Sequence, residues 1–322
     1  MSLSSLSVFH WFLKFLSNDT PSRPNAPAIS KVSRPAFNEL PVRKSDPKGS
    51  AWQLWGKDDE LGSLNLITDE VSRAAAAEVS LGRSINLNLP LDVPLKPMNP
   101  RRKPCVHTFI AKGHANDDEL DFNTQSSSHW DGLRHFPYKD SGQFYNGVTQ
   151  DEIMATKKIG IQSRSRNKPN SYPGSATGLV LVAREQRVTF RRGDILIIRT
   201  GWTAAYSKLT MEEKERLGGR DDRASIGVEA SEEAFRWHWE QQFAAVASDT
   251  VAYEAWPSPK PWGVCMHEVF LSGWGMPIGE CWDLEELSEA CRQLNRWTFL
   301  MTSQPVNLPG GVASPPNATA IL

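Results

Sequence analysis

The sequence predicts a mixed α/β protein built as a single domain. Two kinds of segment indicate this class: buried-strand patterns such as GDILIIRTGW (193–202), and capped helical patterns such as DLEELSEACRQLNRW (283–297). The 322 residues contain no internal repeat, and nothing after residue 51 marks a second domain. We therefore predict an N-terminal arm or linker over residues 1–50 and one domain over residues 51–322.

The predicted arm differs in composition from the rest of the chain. Residues 18–50 are rich in Pro, Ser and Asn, which is typical of a linker or a meandering arm. The preceding stretch SLSVFHWFLKFL is apolar but contains His10 and Lys14 and has no basic region before it, so it makes a poor signal peptide. We predict a short amphipathic helix there.

Composition and charge exclude several classes of function. Hydrophobic residues make up 39% and charged residues 23% of the chain, and the formal net charge is −1, so nothing attracts it to nucleic acid or to an anionic membrane. No run approaches the about 18 apolar residues of a membrane span. The four cysteines form no C-x-x-C pair, which indicates reduced thiols. We predict a cytoplasmic protein with neither a nucleic acid nor a membrane partner.

The first elements of the domain follow from local patterns. TDEVSRAAAAEVS (68–80) predicts a helix with Thr68 as its N-cap and acidic residues in its first turn. SINLNLPLDVPL (84–95) alternates apolar and polar residues and predicts a strand. The apolar run of 193–202 predicts a strand that is buried on both faces at the centre of a sheet.

A long helical pattern follows in the second half of the chain. SEEAFRWHWEQQFAAVAS (231–248) begins with Ser231 as a cap and carries an apolar stripe, so we predict one helix over its whole length. Within it, His238 lies between two tryptophans, which favours helix packing over a role as a metal ligand. The next segment, SDTVAYE (248–254), is predicted to be a strand.

The last elements have the clearest capping signals. In the helix predicted over 283–297, Asp283 is the cap and Glu286 stands three residues later, which is the arrangement of a capping box. TFLMTSQPVNL (298–308) predicts a strand, and the tail 310–322 is expected to run along the surface.

The stretch SSSHWDGLRHFPY concentrates two imidazoles and a carboxylate. Side chains two apart in a strand face the same side, so His129 and Asp131 project in parallel and can converge on one cation. Gly132 lets the chain turn, which brings His135 back over the same point as a further base. The alternative is structural: His129 simply donates a hydrogen bond to Asp131 at a turn.

A second cluster lies in HEVFLSGWGMPIGECW (267–282). It contains His267, Glu268 and Glu280 around a loop rich in glycine and tryptophan, which suits a ligand pocket. A buried turn with Glu280 paired to an arginine is the alternative. The chain has no G-x-S-x-G elbow, no Walker A loop and no G-x-G-x-x-G after a strand. These absences leave a metal site as the main catalytic hypothesis.

These residues resemble the cyclase-like metal-dependent hydrolases, the family of kynurenine formamidase, isatin hydrolase and a dienelactone hydrolase. The family motif H-x-G-T-H-x-D-x-P-x-H falls on this chain with its second histidine at His129, its aspartate at Asp131 and its last histidine at His135. Gln125 replaces the first histidine, and Ser128 replaces the threonine. The core H-W-D-G-L-R-H resembles a longer branch of the family, and the likeness extends from about residue 51 to the end.

The resemblance implies a swivelling β/β/α fold and a homodimer or larger assembly. It also implies a divalent cation, Zn²⁺ or Mn²⁺, because the chain retains most of the family's ligands. The metal ligands that it implies are His129, Asp131, His267, Glu280 and Gln125. His135 and Glu280 are the implied catalytic residues, with His135 moving the proton.

The function that follows is hydrolysis of a small cyclic or aryl amide, imide or lactone by a metal-activated water. One alternative is a metal-dependent cyclase, dehydratase or isomerase of a natural-product pathway, and another is a non-catalytic binding relative. The 12 tryptophans favour a flat aromatic substrate. We assign substrate binding to Trp130, Trp274 and Arg134, although a surface ion pair is an alternative role for Arg134.

Overall fold

The structure is a computed structural model that describes residues 33–164 and 176–322. The predicted N-terminal helix and residues 18–32 of the predicted linker lie outside the described residues. One packed unit runs from Arg34 to Leu322. Its first residues pack on the body, because Phe37 is buried and the Arg34 guanidinium donates to the carbonyl oxygen of Trp239 at 2.8 Å. The packed unit therefore includes residues 34–50.

Helices and strands are interspersed along this unit, as in a mixed α/β protein. The α-helices of the described residues are α1 (Asp69–Ala76), α2 (Gln150–Ala155), α3 (Ala176–Glu185), α4 (Trp202–Ser207), α5 (Met211–Gly218), α6 (Glu232–Gln241) and α7 (Glu285–Leu294). The strands are β1 (Ser84–Asn86), β2 (Val106–Ala111), β3 (Asn116–Asp121), β4 (His129–Asp131), β5 (Ile195–Ile198), β6 (Ala245–Ser248), β7 (Ile278–Glu280), β8 (Leu300–Ser303), β9 (Ala313–Ser314) and β10 (Ala318–Ile321). No helix among the described residues has the length and apolarity that crossing a membrane requires.

The strands form three sheets. The largest has the order β5-β6-β7-β4-β9, with β5, β6 and β7 parallel and β4 antiparallel to both of its neighbours. A second sheet has the antiparallel order β1-β10-β8. Strands β2 and β3 form a separate hairpin.

The five-stranded sheet is buried on both faces, which gives a β/β/α arrangement of layers. Side chains of one face, such as Ile195, join the core cluster that contains Ile85 and Met301 of the smaller sheet. Side chains of the other face, such as Leu196, join the cluster that contains Phe235 of α6. The predicted class, a single α/β domain with a β/β/α fold, is confirmed.

Several predicted elements are confirmed at their starts. The Thr68 hydroxyl accepts the backbone N–H of Val71 at the N-terminus of α1, and the Ser231 hydroxyl accepts that of Ala234 at the start of α6. Strand β5 is buried on both faces as predicted. It lies at an edge of its sheet rather than at the centre, because hydrophobic pattern reports burial of the two faces and not the position of a strand within the sheet.

The long helix predicted over 231–248 is too long. Helix α6 ends at Gln241, because Gln242 adopts a left-handed conformation with φ of 58°. The apolar residues that follow form β6, whose four residues are all buried. The strand predicted over 248–254 is also wrong beyond Ser248, since the segment that follows is irregular.

Other element boundaries are also corrected. The predicted strand 84–95 is limited to β1, since Pro90 and Pro94 have no N–H for a ladder. The predicted helix 283–297 begins at Glu285, and Glu286 pairs with Arg83 at 3.0 Å rather than forming a capping box.

The C-terminal tail, predicted to lie on the surface, is part of the core. It forms β9 and β10, and Leu322 is fully buried. Strand β10 pairs on both sides, with β1 and with β8. Its alternating burial fits a strand with one covered face.

His238 of α6 provides a stability test that is independent of the site. Its Nδ1 lies 2.7 Å from the Ala234 carbonyl and its Nε2 lies 2.8 Å from the Tyr253 hydroxyl, so it packs inside the protein as predicted. Burial lowers the pKa of His238 from 6.5 to about 4. Between these two pH values His238 is protonated in the unfolded chain but not in the folded chain. The free energy of unfolding therefore falls as the pH decreases from about 6.5 to about 4.

We expect His238→Gln to reduce this acid sensitivity. Between pH 7 and pH 5 the wild type should lose about 2 kcal/mol more of its free energy of unfolding than the variant does. Urea denaturation at both pH values measures the difference. Equal losses in the two proteins would show that His238 does not control this transition.

Candidate metal centre

The pairing of β4 with β7 places three polar side chains on one face of the sheet. His129 stands opposite Glu280 and Asp131 opposite Ile278 in an antiparallel register. Because directly paired residues share a face, the imidazole and both carboxylates project toward one region. All three side chains are buried.

The turn after β4 returns a further imidazole to this region. The Gly132 N–H donates to the Val312 carbonyl at 2.9 Å, and the His135 N–H donates to the Gly132 carbonyl at 3.0 Å. A Cβ at position 132 would lie 2.6 Å from the Val312 oxygen, so the turn requires glycine. His135 Nε2 reaches to 3.7 Å from Asp131 Oδ2. The predicted return of His135 is confirmed.

His267 completes the cluster from a distant part of the chain. It directly precedes a π-helical turn, Glu268–Gly273. Its Nε2 lies 3.1 Å from Glu280 Oε1 and 3.7 Å from Asp131 Oδ2. The predicted residues His129, Asp131, His135, His267 and Glu280 are therefore brought together, although the first and last of the five are 151 positions apart in sequence.

Glu254 orients His267, and the sequence analysis did not identify it as a site residue. Its carboxylate lies 2.7 Å from His267 Nδ1 and accepts the backbone N–H groups of Met266 and His267, each at 3.0 Å. A carboxylate on Nδ1 leaves Nε2 to face the cluster, which is the arrangement around many metal-binding histidines. Next to Glu254, the backbone N–H of Tyr253 donates to Glu280 Oε1 at 3.0 Å.

Acceptor atoms without donors converge at the centre of the cluster. His129 Nδ1 lies 2.7 Å from the Ser127 carbonyl, which only accepts, so Nδ1 carries the proton and the lone pair of Nε2 faces inward. Nε2 lies 3.5 Å from Asp131 Oδ1 and 3.4 Å from Glu280 Oε2. Neither His129 Nε2 nor Asp131 Oδ2 has a hydrogen-bond partner among the described residues. Buried acceptors facing one another are unfavourable unless a cation lies between them.

The carboxylates of the cluster are ionised at neutral pH. Burial raises the pKa of Asp131, but the three imidazoles that face this carboxylate outweigh burial and hold its pKa well below its usual range. Burial and Asp131 raise the pKa of Glu280, while its contacts with the imidazoles lower it to about 2. Burial raises the pKa of Glu254, but the hydrogen bond from His267 has the larger opposite effect. The pKa therefore lies below its ordinary value. Ionised carboxylates are what a divalent cation requires.

The imidazoles that face the cavity respond in opposite directions. Burial lowers the pKa of His135 to about 4. Burial also lowers that of His267, but the nearby carboxylates of Asp131, Glu254 and Glu280 outweigh burial and raise the pKa well above its ordinary value. The protein groups around His267 thus favour a positive charge at that point of the cluster.

These residues fit a divalent cation. Ligand atoms of His129, Asp131 and Glu280 lie within 4.8 Å of one another, as do those of Asp131, His135 and His267. Imidazole nitrogens and carboxylate oxygens are the donors that Zn²⁺ accepts, and carboxylate oxygens suit Mn²⁺. Both groups contain Asp131, which is therefore the residue that they share.

Gln125, which replaces the family's first histidine, also reaches the cluster. Its amide nitrogen Nε2 lies 2.5 Å from Asp131 Oδ1 and 3.2 Å from His135 Nε2. In this orientation the amide donates to the carboxylate, and only the opposite orientation would present its oxygen as a ligand. The predicted role of Gln125 as a ligand stays a prediction.

The cluster opens into a cavity that reaches the protein surface. Its lining includes four residues of the cluster, Gln125, His135, His267 and Glu280, and also Phe136, Trp256, Arg102 and Arg223. The ring centroids of Phe136 and Trp256 lie 5.4 and 6.2 Å from that of His267. Apolar side chains together with a few polar groups are the usual lining of a site for a small molecule.

The two tryptophans predicted to bind substrate do not line this cavity. The Trp130 indole lies on the opposite face of β4 and donates to the Ser303 hydroxyl at 2.9 Å. The Trp274 indole donates to the Gly49 carbonyl at 2.8 Å. Both are buried in the core, so these two predictions are wrong. Trp256, which follows an irregular segment, is the tryptophan at the cavity.

Arg134 is also wrong as a substrate-binding residue. Its guanidinium donates to the backbone carbonyls of Ile153, Thr156 and Lys158, which hold the end of α2. Glu268, which the second sequence cluster contained, is likewise structural. It accepts the Lys260 ammonium at 2.7 Å and the N–H groups of Cys265 and Lys139.

Comparison with known proteins identifies the family. The family model described as "Putative cyclase" matches residues 50–255. The chain belongs to the cyclase family. The match includes β4 and Glu254 but ends before His267. The placement of His267 and Glu280 in the cluster is therefore known from the structure and not from the family match. No curated protein matches the chain.

Solved structures agree with this family. One described as a novel cyclase is 29% identical with a TM-score of 0.73, and the match covers 85% of this chain and 99% of that one. Isatin hydrolase A from Ralstonia solanacearum is 16% identical with a TM-score of 0.53, covering 79% and 97%. An isatin hydrolase bound to the product analogue thioisatinate is 12% identical with a TM-score of 0.53, covering 79% and 99%. The last two share the fold.

We expect Glu254→Gln to weaken cation binding by about 10- to 100-fold, because an amide holds His267 less firmly than a carboxylate does. Calorimetric titration of the protein with Zn²⁺ or Mn²⁺ measures the dissociation constant of the cation. Glu268→Gln is a matched control, since Glu268 is equally buried and also accepts backbone N–H groups. Equal losses in the two variants would contradict a specific role for Glu254.

Proposed function

We propose that this member of the cyclase family is a metal-dependent hydrolase that opens a small cyclic or aryl amide, imide or lactone. One observation carries the proposal: the inward lone pair of His129 Nε2 meets the oxygens of Asp131 and Glu280 at the edge of an open cavity. Such a cluster of buried acceptors is explained by a cation. His129, Asp131, His267 and Glu280 would hold it.

When bound, a divalent cation (Zn²⁺ or Mn²⁺) supplies a Lewis acid that polarises a carbonyl and brings the pKa of a water toward about 7. The chain's own residues supply orientation. Glu254 fixes the ring of His267 through Nδ1, and the Ser127 carbonyl fixes that of His129. Fixed rings keep both Nε2 atoms directed at the same point.

His135 is the residue that we propose moves the proton. Its side chain is 19% exposed, whereas those of Asp131, His129 and His267 are at most 7% exposed. It lines the cavity, and its Nε2 lies 3.7 Å from Asp131, beyond hydrogen-bond distance. The ring can therefore take a proton from an attacking water at the cavity side and deliver it to the leaving group.

A second candidate keeps the cation and changes the reaction. The 29% identical structure is described as a cyclase, which favours a cyclisation, dehydration or isomerisation with the cation acting on a carbonyl. The two isatin hydrolases with the same fold favour hydrolysis. Only hydrolysis adds the elements of water to the substrate.

Metal analysis and isotope labelling together test the proposal. We expect elemental analysis to find about one equivalent of cation per chain, because Gln125 occupies the position of an imidazole ligand. The loaded protein is then incubated with a panel of lactones, cyclic imides and aryl amides in ¹⁸O-water. Incorporation of one ¹⁸O into the product supports hydrolysis, and turnover without incorporation supports the second candidate.

A third outcome favours a non-catalytic relative. A chain that binds neither Zn²⁺ nor Mn²⁺ and gains no thermal stability from them would contradict both enzymatic candidates, since a ligand of the native state must stabilise it. The predicted homodimer or larger assembly stays a prediction, which light scattering tests directly.

A further inference from the structure

Two guanidinium groups line the same cavity as the proposed metal centre. They belong to Arg102 and Arg223. Arg102 Nη1 donates to the carbonyl oxygen of Gln125 at 3.1 Å, which fixes this arginine beside the cluster. That bond uses one of the five N–H donors of the group. Neither arginine forms an ion pair with a carboxylate in the part of the chain that the structure describes.

The acidic residue nearest to Arg223 in sequence is already engaged. Asp222 Oδ1 accepts the backbone N–H of Ala224 at 3.0 Å and lies 3.6 Å from Arg220 Nε. Arg220 in turn donates to the Ala224 carbonyl at 2.6 Å. This local network holds the loop and leaves the Arg223 side chain as part of the cavity wall.

A buried hydroxyl group without a partner also lines this cavity. Ser126 lines the cavity, is 4% exposed, and its Oγ has no hydrogen-bond partner among the described residues. It directly follows Gln125, whose carbonyl receives Arg102. A buried hydroxyl without a partner is unfavourable unless a ligand supplies one.

Most of the remaining side chains that line the cavity are apolar. Phe136, Trp256 and Met98 line the cavity, and aromatic faces favour stacked or edge contacts with a ring. A cavity lined by two guanidiniums that form no ion pair with a described carboxylate, and by aromatic side chains, is complementary to a ring that carries an anionic group. A guanidinium matches a carboxylate with two parallel hydrogen bonds.

We propose that the substrate is a carboxylate-bearing cyclic or aryl compound whose carboxylate is bound by Arg102, Arg223 and the Ser126 hydroxyl. This carboxylate is distinct from the carbonyl group that reacts at the metal centre. The inference rests on the proposed function for the reaction, but the anion subsite itself is defined by residues that hold no cation.

Benzoate and benzamide test the subsite, because they have nearly the same shape and differ in charge. Their dissociation constants are measured by NMR titration on the metal-loaded full-length protein. We expect benzoate to bind at least about tenfold more tightly than benzamide to the wild type. Arg102→Gln and Arg223→Gln should each remove most of this preference, and Ser126→Ala should reduce it.

The controls separate the subsite from the cation and from overall charge. Arg216→Gln removes the same charge from an exposed position of α5 and should leave the preference unchanged. Metal content and thermal unfolding establish that each variant is folded and loaded. If Arg102→Gln does not fold, because the Gln125 carbonyl loses its donor, then Arg223→Gln alone decides the result.

Three results would overturn the proposal. Equal affinity of wild type for the two probes would show that no anion is preferred. If the preference for benzoate over benzamide persists in both arginine variants, the benzoate carboxylate binds the cation and not the proposed subsite. A loss in Arg216→Gln equal to that in Arg223→Gln would reduce the effect to net charge. If no lactone or amide is hydrolysed but the preference depends on the arginines, the subsite stands and the proposed hydrolysis falls.

Discussion

Asp131→Asn is expected to remove the bound cation and to reduce hydrolysis to background. Asp131 belongs to both groups of side chains that fit a cation, and it is fully buried between three imidazoles. The substitution keeps the shape but replaces a charge by a neutral amide, which is a poor ligand. Loss of an outer partner of a metal ligand costs about 10- to 100-fold, so loss of this shared ligand should cost more.

Three measurements check this expectation. Elemental analysis should fall from about one equivalent of cation per chain to none, and kcat/KM on the best substrate should fall by more than about 100-fold. Zn²⁺ or Mn²⁺ at 100 times the wild-type Kd should stabilise the wild type by about 2.7 kcal/mol and leave the variant unchanged. The last readout is independent of any substrate.

The matched control is Asp121→Asn on the exposed hairpin. Asp121 pairs with Lys103 on the surface of the protein, so its loss should alter neither the metal content nor the activity. A variant at Asp131 that retains its cation and its activity would contradict the proposed centre. The hydrogen bond from Gln125 to Asp131 would then stand as a structural interaction only.

Sequence periodicity predicted the part of the site that is local in the chain. Period-two alternation alone places His129 and Asp131 on one face, and the glycine between Asp131 and His135 predicts the turn. The same alternation places Trp130 on the opposite face, and the structure shows it there against Ser303. Trp130 therefore points away from His129 and Asp131, so the alternation itself argues against a substrate-binding role for this tryptophan.

Contacts between distant segments could not be derived from local pattern. Glu254 contacts His267 across 13 positions, and the Arg102 guanidinium contacts the Gln125 carbonyl across 23. No motif marks either pair, because their proximity arises only when the irregular segments around them are folded. His267 and Glu280 were identified as ligands by resemblance, since their spacing by itself left a structural turn as an alternative.

The helix boundaries failed for a related reason. The apolar residues after Gln242 continue the helical stripe of α6 and also fit a buried strand, and a short apolar run does not distinguish the two. The left-handed conformation of Gln242 ends the helix, although glutamine is not a residue that favours that conformation. Tertiary packing of β6 between β5 and β7 decides the outcome.

His135→Gln should separate proton transfer from metal binding. We expect kcat to fall by about 10²- to 10⁴-fold, which is the usual contribution of a positioned acid or base. The metal content should stay near that of the wild type, because the other group of ligand atoms, from His129, Asp131 and Glu280, is complete without it. Steady-state kinetics and elemental analysis on the same preparation give both quantities. His107→Gln, on the exposed hairpin, is the histidine control.

The combination of the two readouts decides the role of His135. Its Nε2 faces Asp131 Oδ2, and so does that of His267, each at 3.7 Å. A second cation bound by these three residues would share Asp131 with the first. If the wild type holds about two equivalents and His135→Gln holds about one, then His135 is a ligand and Gln125 does not limit the protein to one metal. If the metal content is unchanged and kcat falls, His135 is not a ligand and instead transfers the proton from the cavity side, where its ring lies.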